Sequence, residues 1–372
     1  MKKSLVALAV LAASGAAFAQ SNVTVYGIAD VWFGSVKGEI SGADAEALEI
    51  AGSARQTVLE SGGVNSSRWG LMGSEDLGGG LKANFNLEQG FSVDTGAAAD
   101  TSKAFSKQAW VGVSGGFGEA KLGLTGTAYD DIRGLNNNTF DSALAAVPWV
   151  DYIGTGSNQI YYALPDMGGF AGALSYALGE GKDVNVSAGS VLSLNVQYAQ
   201  GPFMVGFAHQ KEKTDTKLGL GALDGINDLL IEIGADTVAE DIRVATAGST
   251  AKYNLLTGSY DLGVAKLLAS YNTVKITVPD ITDSLKAKEF QVGADIPLSS
   301  AMTLAVGYGQ SKWEEEINIA KRTAFSAAVN YSMSKRTSVY AGFNNTKLDA
   351  DADVADIEVK TTIFAVGLNH KF

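Results

Sequence analysis

The last twelve residues, TTIFAVGLNHKF (361–372), alternate between two kinds of side chain up to the final aromatic residue, Phe372. Terminal segments are usually poorly ordered unless they are tied into a sheet or docked as a helix. Successive side chains of a strand point to opposite faces, so this segment has one large apolar face and one small or polar face. The large face carries Phe364, Val366, Leu368, His370 and Phe372, and the small face carries Ala365, Gly367, Asn369 and Lys371. The pattern predicts a terminal strand that is paired in a sheet, with residues 22–34 as its partner.

The same period of two recurs along the rest of the chain. It is clear in NVTVYGIADVWFGSV (22–36) and in RTAFSAAVNYSM (322–333), and both stretches predict strands. Short polar or glycine-rich segments separate such strands at 76–80, 115–118, 166–169, 200–202, 261–263, 297–300 and 333–335. They alternate with long acidic segments, notably 36–66, 129–157, 212–246 and 348–358. Seven short turns and eight long loops therefore join sixteen predicted strands of about ten residues each.

This alternation of short and long connections predicts a particular architecture. An even number of antiparallel strands, with short turns at one end and long loops at the other, is the layout of an outer-membrane β-barrel. We expect the large apolar face of each strand to contact lipid outside the barrel and the small or polar face to contact water inside it. A soluble β-sandwich has the opposite arrangement, because its core needs large apolar side chains facing inward. A closed barrel also leaves no strand edge unpaired. This is required in hydrocarbon, where free backbone N–H and C=O groups would find no hydrogen-bond partner. We therefore predict an all-β fold, a 16-stranded antiparallel transmembrane β-barrel with short periplasmic turns and long extracellular loops.

The amino-terminal residues, MKKSLVALAVLAASGAAFAQ (1–20), have the three parts of a secretory signal. Two lysines precede an apolar run, and a small-residue cleavage site follows at 17–19. The apolar run is too short to span a bilayer as a helix, and no other apolar run reaches about eighteen residues. We expect cleavage after Ala19, so that residues 1–19 are the signal peptide and residues 20–372 the barrel.

The composition disfavours several other classes of protein. The 372 residues include 44 Gly, 5 Pro and no Cys, which rules out a disulfide scaffold and thiolate metal sites. Only His209 and His370 are available for imidazole chemistry, so we expect no metal site and no cofactor. Loss of Lys2 and Lys3 with the signal would take two positive charges from the formal −12 and leave −14. Such an acidic chain is a poor candidate for nucleic-acid binding, which needs clustered Lys and Arg.

Several segments of the sequence match a known family. They are SNVTVYGIADVWFGSV, SRWGLMGSEDLGGGLKANFNLEQGF, KQAWVGVSGGFGEAKLGL, YYALPDMGGFAGALSYALGE and the closing GLNHKF. Together with the signal peptide, they resemble the trimeric general-diffusion porins of beta-proteobacteria over nearly the whole chain. The resemblance implies location in the outer membrane of a Gram-negative bacterium, sixteen strands, and a homotrimer in contact with lipid and lipopolysaccharide.

The resemblance also implies how the protein assembles and works. It implies a passive, water-filled channel for ions and small hydrophilic solutes, with a third extracellular loop (129–157) folded into the pore to narrow it. In this family the C-terminal Phe is part of the signal read by the barrel assembly machinery. That role falls here on Phe372, together with His370 and Leu368.

The basic pore wall that the resemblance implies is only partly present. Arg68 and Lys107 match basic positions of the family segments SRWGLRG and RQAFVGL. Other positions that are basic in the family carry Met72, Leu124 and Tyr161. The alternation of residues 81–88 adds one base, because it places Lys82 on the lumen side.

The acidic side of the expected constriction is the third loop. Within 129–157 it carries Arg133 and the acids Asp130, Asp131, Asp141 and Asp151. Acids at the narrowest point of a pore favour cations, and bases favour anions. Because several wall bases are missing and the loop acids remain, the sequence predicts weak cation selectivity, moderated by Arg68, Lys82 and Lys107.

Two other functions stay open at this point. One is a substrate-selective channel, which the sequence does not distinguish from a general one. The other is a barrel enzyme, such as a membrane phospholipase or protease, whose catalytic histidine would have to be His209 or His370. An enzyme should place a few catalytic residues inside a narrower barrel, so sixteen strands and a constriction loop favour a channel.

Overall fold

The computed structural model describes residues 22–47, 50–134, 143–146, 150–181, 188–215, 248–279, 284–314, 318–350 and 356–372. Two short helices occur in this part of the chain, α1 (Ala43–Ala47) and α2 (Ala128–Arg133). The strands are β1 Asn22–Ser41, β2 Gly52–Ser61, β3 Arg68–Gly78, β4 Leu81–Gly90, β5 Gln108–Gly115, β6 Gly118–Gly126, β7 Thr155–Ala163, β8 Phe170–Leu178, β9 Ser190–Gln200, β10 Phe203–Lys213, β11 Thr250–Asp261, β12 Lys266–Thr277, β13 Leu285–Pro297, β14 Met302–Glu314, β15 Asn318–Ser332, β16 Thr337–Ala350 and β17 Glu358–Lys371. Neither helix is long and apolar enough to cross a membrane.

The seventeen strand segments form one closed antiparallel barrel of sixteen strands. β2 and β3 both pair with β1, which makes them two halves of a single interrupted barrel strand. From β3 onward each strand pairs with its neighbour in sequence, and β17 returns to pair with β1. The predicted 16-stranded barrel is therefore confirmed. We call the two rims of the barrel the turn end and the loop end.

The seven predicted short turns lie at the turn end. They join β3 to β4, β5 to β6, β7 to β8, β9 to β10, β11 to β12, β13 to β14 and β15 to β16. The prediction of a long loop over 36–66 is wrong in part, because β1 continues to Ser41 and β2 covers Gly52–Ser61. The outward face of this hairpin is polar, because it carries Lys37 and Glu39. The alternation of apolar and polar residues that predicts a membrane strand is therefore lost there, although the strands remain paired. The predicted loop 129–157 corresponds to 127–154, between β6 and β7.

Alternation along each strand divides the barrel surface into two environments. On β17, Val366 is 62% exposed and its neighbour Ala365 is 3% exposed. Inward positions elsewhere carry polar side chains such as Ser193, Asn195 and Gln210. Large apolar side chains thus face outward and polar ones inward, which is the opposite of a soluble sandwich.

The seam between β1 and β17 includes the last residue of the chain. The backbone N–H of Phe372 donates to the carbonyl of Gly27 at 3.0 Å, and the N–H of Gly27 donates back at 3.1 Å. A Cβ at residue 27 would lie 2.4 Å from Cζ of Phe372, so only glycine lets the terminal ring lie across β1. The predicted pairing of the last strand with the first is confirmed, although the partner residues run from Gly27 to Ser41 instead of 22–34.

Asp30 ties this seam to the break between β2 and β3. Its buried carboxylate accepts hydrogen bonds from the N–H of Gly63 at 2.7 Å, from the hydroxyl of Tyr340 at 2.6 Å and from the amide of Asn369 at 2.7 Å. The three donors belong to the segment after β2, to β16 and to β17. One inward carboxylate therefore holds four parts of the barrel wall together.

Candidate functional site

The third loop enters the barrel through α2, directly after β6. Thr127 caps this helix by accepting a hydrogen bond from the N–H of Asp130 at 3.3 Å. Six residues are too few for a helix to be stable in water, so α2 depends on packing. Tyr129 and Ile132 provide that packing, because both are fully buried against the inner wall.

The inner wall also satisfies the backbone of the first helical turn. The N–H groups of Ala128 and Tyr129 donate to the hydroxyls of Ser175 on β8, at 3.1 Å, and Ser193 on β9, at 2.6 Å. The amide of Asn195 donates to the carbonyl of Ala128 at 2.6 Å. Since the first N–H groups of a helix have no partner within the helix, these short polar side chains fix α2 against β8 and β9.

The returning limb of the loop is held by two buried acids of the wall, Glu289 and Glu212. Glu289 accepts from the N–H of Val150 at 2.8 Å, from Ser311 at 2.7 Å and from Asn272 at 2.8 Å. Glu212 accepts from the N–H of Ile153 at 2.7 Å, from Gln210 at 2.9 Å and from the hydroxyl of Tyr253 at 3.3 Å. Both acids are buried, with 0% of Glu212 and 1% of Glu289 exposed. These hydrogen bonds clamp residues 150–153 to β10 and β13.

The middle of the loop reaches the other side of the barrel. The N–H groups of Ala143 and Leu144 donate to the carbonyls of Gly62 and Gly63, each at 3.2 Å. Leu144 is fully buried in a cluster with Trp32 and Tyr340. The described parts of the loop thus contact β8–β13 at both limbs and the β1–β16 region in the middle, which confirms the predicted inward fold.

Arg133 links the helix to the returning limb. Its Nη1 lies 3.7 Å from Oε2 of Glu289, and its guanidinium lies 4.7 Å from the ring centre of Tyr152. Tyr152 in turn meets Tyr129 edge to face at 4.9 Å between ring centres. A cation held between a carboxylate and an aromatic face is stabilised by both.

The wall opposite the clamps carries paired charges that face the lumen. Arg68 on β3 lies 3.6 Å from Glu88 on β4, which also accepts from the hydroxyl of Tyr26 at 2.8 Å. On β6, Lys121 lies 3.2 Å from Glu119. The Lys121 ammonium also stands between the rings of Trp110, at 4.8 Å, and Tyr161, at 4.9 Å. Lys121 was absent from the sequence-based set, although alternation in GEAKLG places it on the same face as Glu119.

The acids predicted on the loop differ in their surroundings. Asp130 accepts a hydrogen bond from the hydroxyl of Tyr152. Asp131 is exposed to the lumen and accepts from the hydroxyl of Tyr161 at 2.7 Å and from the amide of Asn195 at 3.3 Å. Enclosure by the barrel wall raises the pKa of Asp131 to about 6, and the hydrogen bond from Tyr161 opposes that shift.

The two remaining predicted acids of the loop are Asp151 and Asp141. Asp151 is exposed, its carbonyl accepts from the hydroxyl of Tyr253 at 3.1 Å, and it interacts electrostatically with Arg322 of β15. Asp141 lies outside the described residues. Arg322 is a second lumen base that the sequence-based set omitted.

The predicted wall bases lie at different depths. Lys82 is on the lumen side, as alternation predicts, but it stands opposite Asp76 beside the turn that joins β3 to β4. Lys107 precedes β5 near the loop end, with its side chain beside Gly90. Arg68 is the base among these three that forms an ion pair.

Three positions that are basic in the family segments carry other residues here, and they lie on different faces of the barrel wall. Met72 pairs with Thr24 on the lumen side, and Tyr161 holds Asp131. Leu124 pairs with Ala109, which alternates with the inward Trp110. Because that register places Leu124 on the outward face, its substitution for a base removes no charge from the lumen.

Comparison with known proteins identifies the family. A model of the Gram-negative porin family matches residues 4–351. The chain belongs to the Gram-negative porin family. Outer membrane porin protein 32 of Delftia acidovorans is 31% identical over 376 residues, with 97% of this chain and 93% of the relative covered. The barrel accordingly lies in the outer membrane of a Gram-negative bacterium, and its homologues are channels.

Solved porin structures share the fold of this member of the family. A structure described as an anion-selective porin from Comamonas acidovorans has a TM-score of 0.72 at 24% identity, covering 95% of this chain and 100% of that one. A structure of OmpT from Vibrio cholerae, described as a trimer form, has a TM-score of 0.63 at 15% identity, covering 95% and 99%. Since outer-membrane barrels have short periplasmic turns and long extracellular loops, the family membership assigns the turn end to the periplasm and the loop end to the outside. Within the described residues, no group of three or more His, Cys, Asp or Glu side chains is arranged to hold a metal ion.

Proposed function

We propose that this porin is a passive channel for ions and small hydrophilic solutes, narrowed by the clamped third loop. The observation that carries the proposal is the pair of buried acids, Glu212 and Glu289, which hold the loop backbone inside the lumen. Around the narrowed passage we place Arg68, Lys121, Asp131, Arg133 and Asp151. Lys107 belongs to the extracellular entrance and Lys82 to the periplasmic mouth, and Asp130 supports the loop through Tyr152.

We propose that the ion preference of the channel is weak. Three lumen bases stand beside acids, as Arg68 with Glu88, Lys121 with Glu119, and Arg133 with Glu289. Paired charges nearly cancel at a distance, so little net field remains to select ions. The weak cation preference predicted from the sequence is not supported by the comparisons, since the similar Comamonas protein is described as anion-selective.

Single-channel recording in planar bilayers tests the proposal. We expect ohmic channels whose conductance follows the salt concentration, and a small reversal potential in a KCl gradient. Saturation of conductance by one particular solute would instead indicate a substrate-selective porin. Absence of channels together with hydrolysis of lipid or peptide would indicate the barrel enzyme.

We also propose that the mature chain begins near Gln20 and assembles as a homotrimer in contact with lipopolysaccharide. The support is the resemblance to trimeric porins and the outward faces of β4–β6, which present no charged side chain. Intact-mass analysis and gel migration without heating test both points. A monomer, or retention of residues 1–19, would contradict them.

The terminal strand is proposed to guide assembly. Phe372 closes the seam through its backbone and lies across Gly27, with Leu368 and His370 on the same outward face. Deletion of Phe372 should lower the amount of folded barrel in the outer membrane, because the assembly machinery would lose its signal and β1 its last partner. Unchanged recovery would show that neither contribution matters.

A further inference from the structure

Four lysines stand side by side on the outward face of β10–β13, near the extracellular rim. The register pairs Lys211 with Lys252, Lys252 with Lys275, and Lys275 with Lys286. All four are exposed, and each alternates with buried inward residues on its own strand. We call these four residues the lysine row.

The lysine row is electrostatically unfavourable on its own. Side chains directly opposite each other on neighbouring strands have Cβ atoms about 4.5–5.5 Å apart, and like charges at such positions are destabilising. Within the described part of the chain, none of the four lysines forms an ion pair. The row ends at β14, where Glu314 is opposite Lys286 in register.

Two outward lysines on other strands have acidic partners. Lys37 on β1 lies 2.6 Å from Glu39, and Lys347 on β16 lies 2.6 Å from Asp349 and 2.5 Å from Glu358. On β4–β9 the outward positions of the described residues carry no charge at all. The lysine row is therefore a local concentration of positive charge, and none of its four members has an acidic partner among the described residues.

The surface below the row changes from polar to apolar over a short distance. One step toward the periplasm, Nδ1 of His209 lies 2.9 Å from Oδ1 of Asn254, whose amide donates to Thr273 at 3.3 Å. Lys288, which pairs in register with Thr273 and with Lys312 of β14, adds positive charge to this polar step. Two steps below Lys211, about 13 Å along the strand, Phe207 lines an open apolar groove of about 220 Å³ with Val196, Tyr198 and Leu256.

We propose that the lysine row binds the phosphate groups of lipopolysaccharide in the outer leaflet, with an acyl chain of the same molecule along the open apolar groove. The order of the surface matches that ligand, because cations lie at the extracellular rim, polar groups below them and an apolar cleft at hydrocarbon depth. Clustered lysines at a membrane surface attract anionic headgroups. This site rests on the lipopolysaccharide contact proposed above and does not depend on the ion preference of the pore.

The test measures binding of lipid A, with and without its two phosphates, to the detergent-solubilised native protein by native mass spectrometry. The variant combines Lys252→Gln and Lys275→Gln, which remove the two central charges and should relieve repulsion without harm to folding. The matched control is Lys266→Gln, at the periplasmic end of β12. Migration without heating verifies that each variant is folded, and channel recording reports pore function separately.

We expect the double variant to bind phosphorylated lipid A about 30-fold more weakly, since each lysine near a charged surface contributes roughly a fivefold factor. The control should bind like the wild type, and lipid A without phosphates should not distinguish the three proteins. Equal binding by the double variant and the wild type would place the lipid elsewhere and overturn the site. No binding by the wild type would overturn the lipopolysaccharide contact as well. Displacement by inorganic phosphate at equal concentration would show a general anion site and also overturn the proposal.

Discussion

The inner and outer faces of β10 and β13 carry opposite charges only one residue apart. Glu212 lies inside between Lys211 and Lys213, and Glu289 lies inside next to Lys288. Both acids are buried and saturated with hydrogen bonds, whereas the neighbouring lysines are on the membrane side. The same strand thus serves two environments, because alternation sends the acids inward and the lysines outward. Inside, the loop backbone is the partner of the acids.

Truncation of the inner acid on β13 should have the largest effect. The Glu289→Ala variant leaves the N–H of Val150, two wall side chains and the Arg133 guanidinium without their acceptor. Breaking a buried charge pair from one side costs roughly 3–5 kcal/mol, so the third loop should loosen and the barrel should unfold at lower temperature. Single-channel recording should show a larger and noisier conductance.

Lys286→Ala is the matched control for this variant, on the outer face of the same strand. Exposed substitutions usually change stability by no more than about 0.5 kcal/mol, so conductance should stay at the wild-type value. If Glu289→Ala also kept the wild-type conductance, the loop would be held by its other contacts and the clamp would be redundant.

Neutralising the inner acid on β10 should have a smaller effect of the same kind. The Glu212→Gln variant keeps the shape and can still accept from the N–H of Ile153, but it loses the charge that strengthens this bond. We expect a loss of about 1–2 kcal/mol in stability and a modest rise in conductance. Lys211→Gln, the adjacent outward residue, should leave the pore unchanged. A larger conductance change for Lys211→Gln than for Glu212→Gln would reverse the assignment of the two faces.

Alternation made the barrel predictable from the sequence, and it also decided which side of the wall each charge occupies. It failed over 36–66, since a strand that extends beyond the membrane into water needs no apolar face there. Helix α2 was not predictable for a related reason, because its six residues are stable only through Tyr129 and Ile132 packed on the wall.

The clamp could not be derived from the sequence either. Alternation places Glu289 inside the barrel, but the group it binds is a backbone N–H 139 residues away. Backbone donors carry no sequence signal, so an inward acid looks the same whether it lines water or holds a loop. The resemblance to porins supplied the inward third loop, and the structure supplied the residues that hold it.

Salt should change the stability of the protein by a few tenths of a kcal/mol, through the exposed lysines of the outer face and not through the buried acids of the inner face. At about 1 M salt the Debye length is about 3 Å, so repulsion within the exposed lysine row should be screened. The wild type in neutral detergent should therefore gain thermal stability with salt, and the Lys252→Gln, Lys275→Gln variant should gain less. The buried clamp acids should not contribute, so Glu212→Gln should show the salt response of the wild type. An identical response in all three proteins would show that the lysine row is not a source of repulsion.

The smallest expected effect concerns Asp131, the loop acid that the clamped third loop leaves open to the lumen. Its pKa is raised to about 6, so the carboxylate is mostly charged at pH 7 and mostly neutral at pH 5. The reversal potential in a KCl gradient should therefore shift slightly toward anions as the pH falls through 6. Asp131→Asn should abolish the shift, and Asp151→Asn should retain it. Tyr161→Phe should move its midpoint to higher pH, because the hydrogen bond from Tyr161 favours the charged form. A midpoint that moved to lower pH would mean that the hydroxyl does not stabilise the carboxylate, and a shift that survived in Asp131→Asn would assign the titration to another group of the lumen.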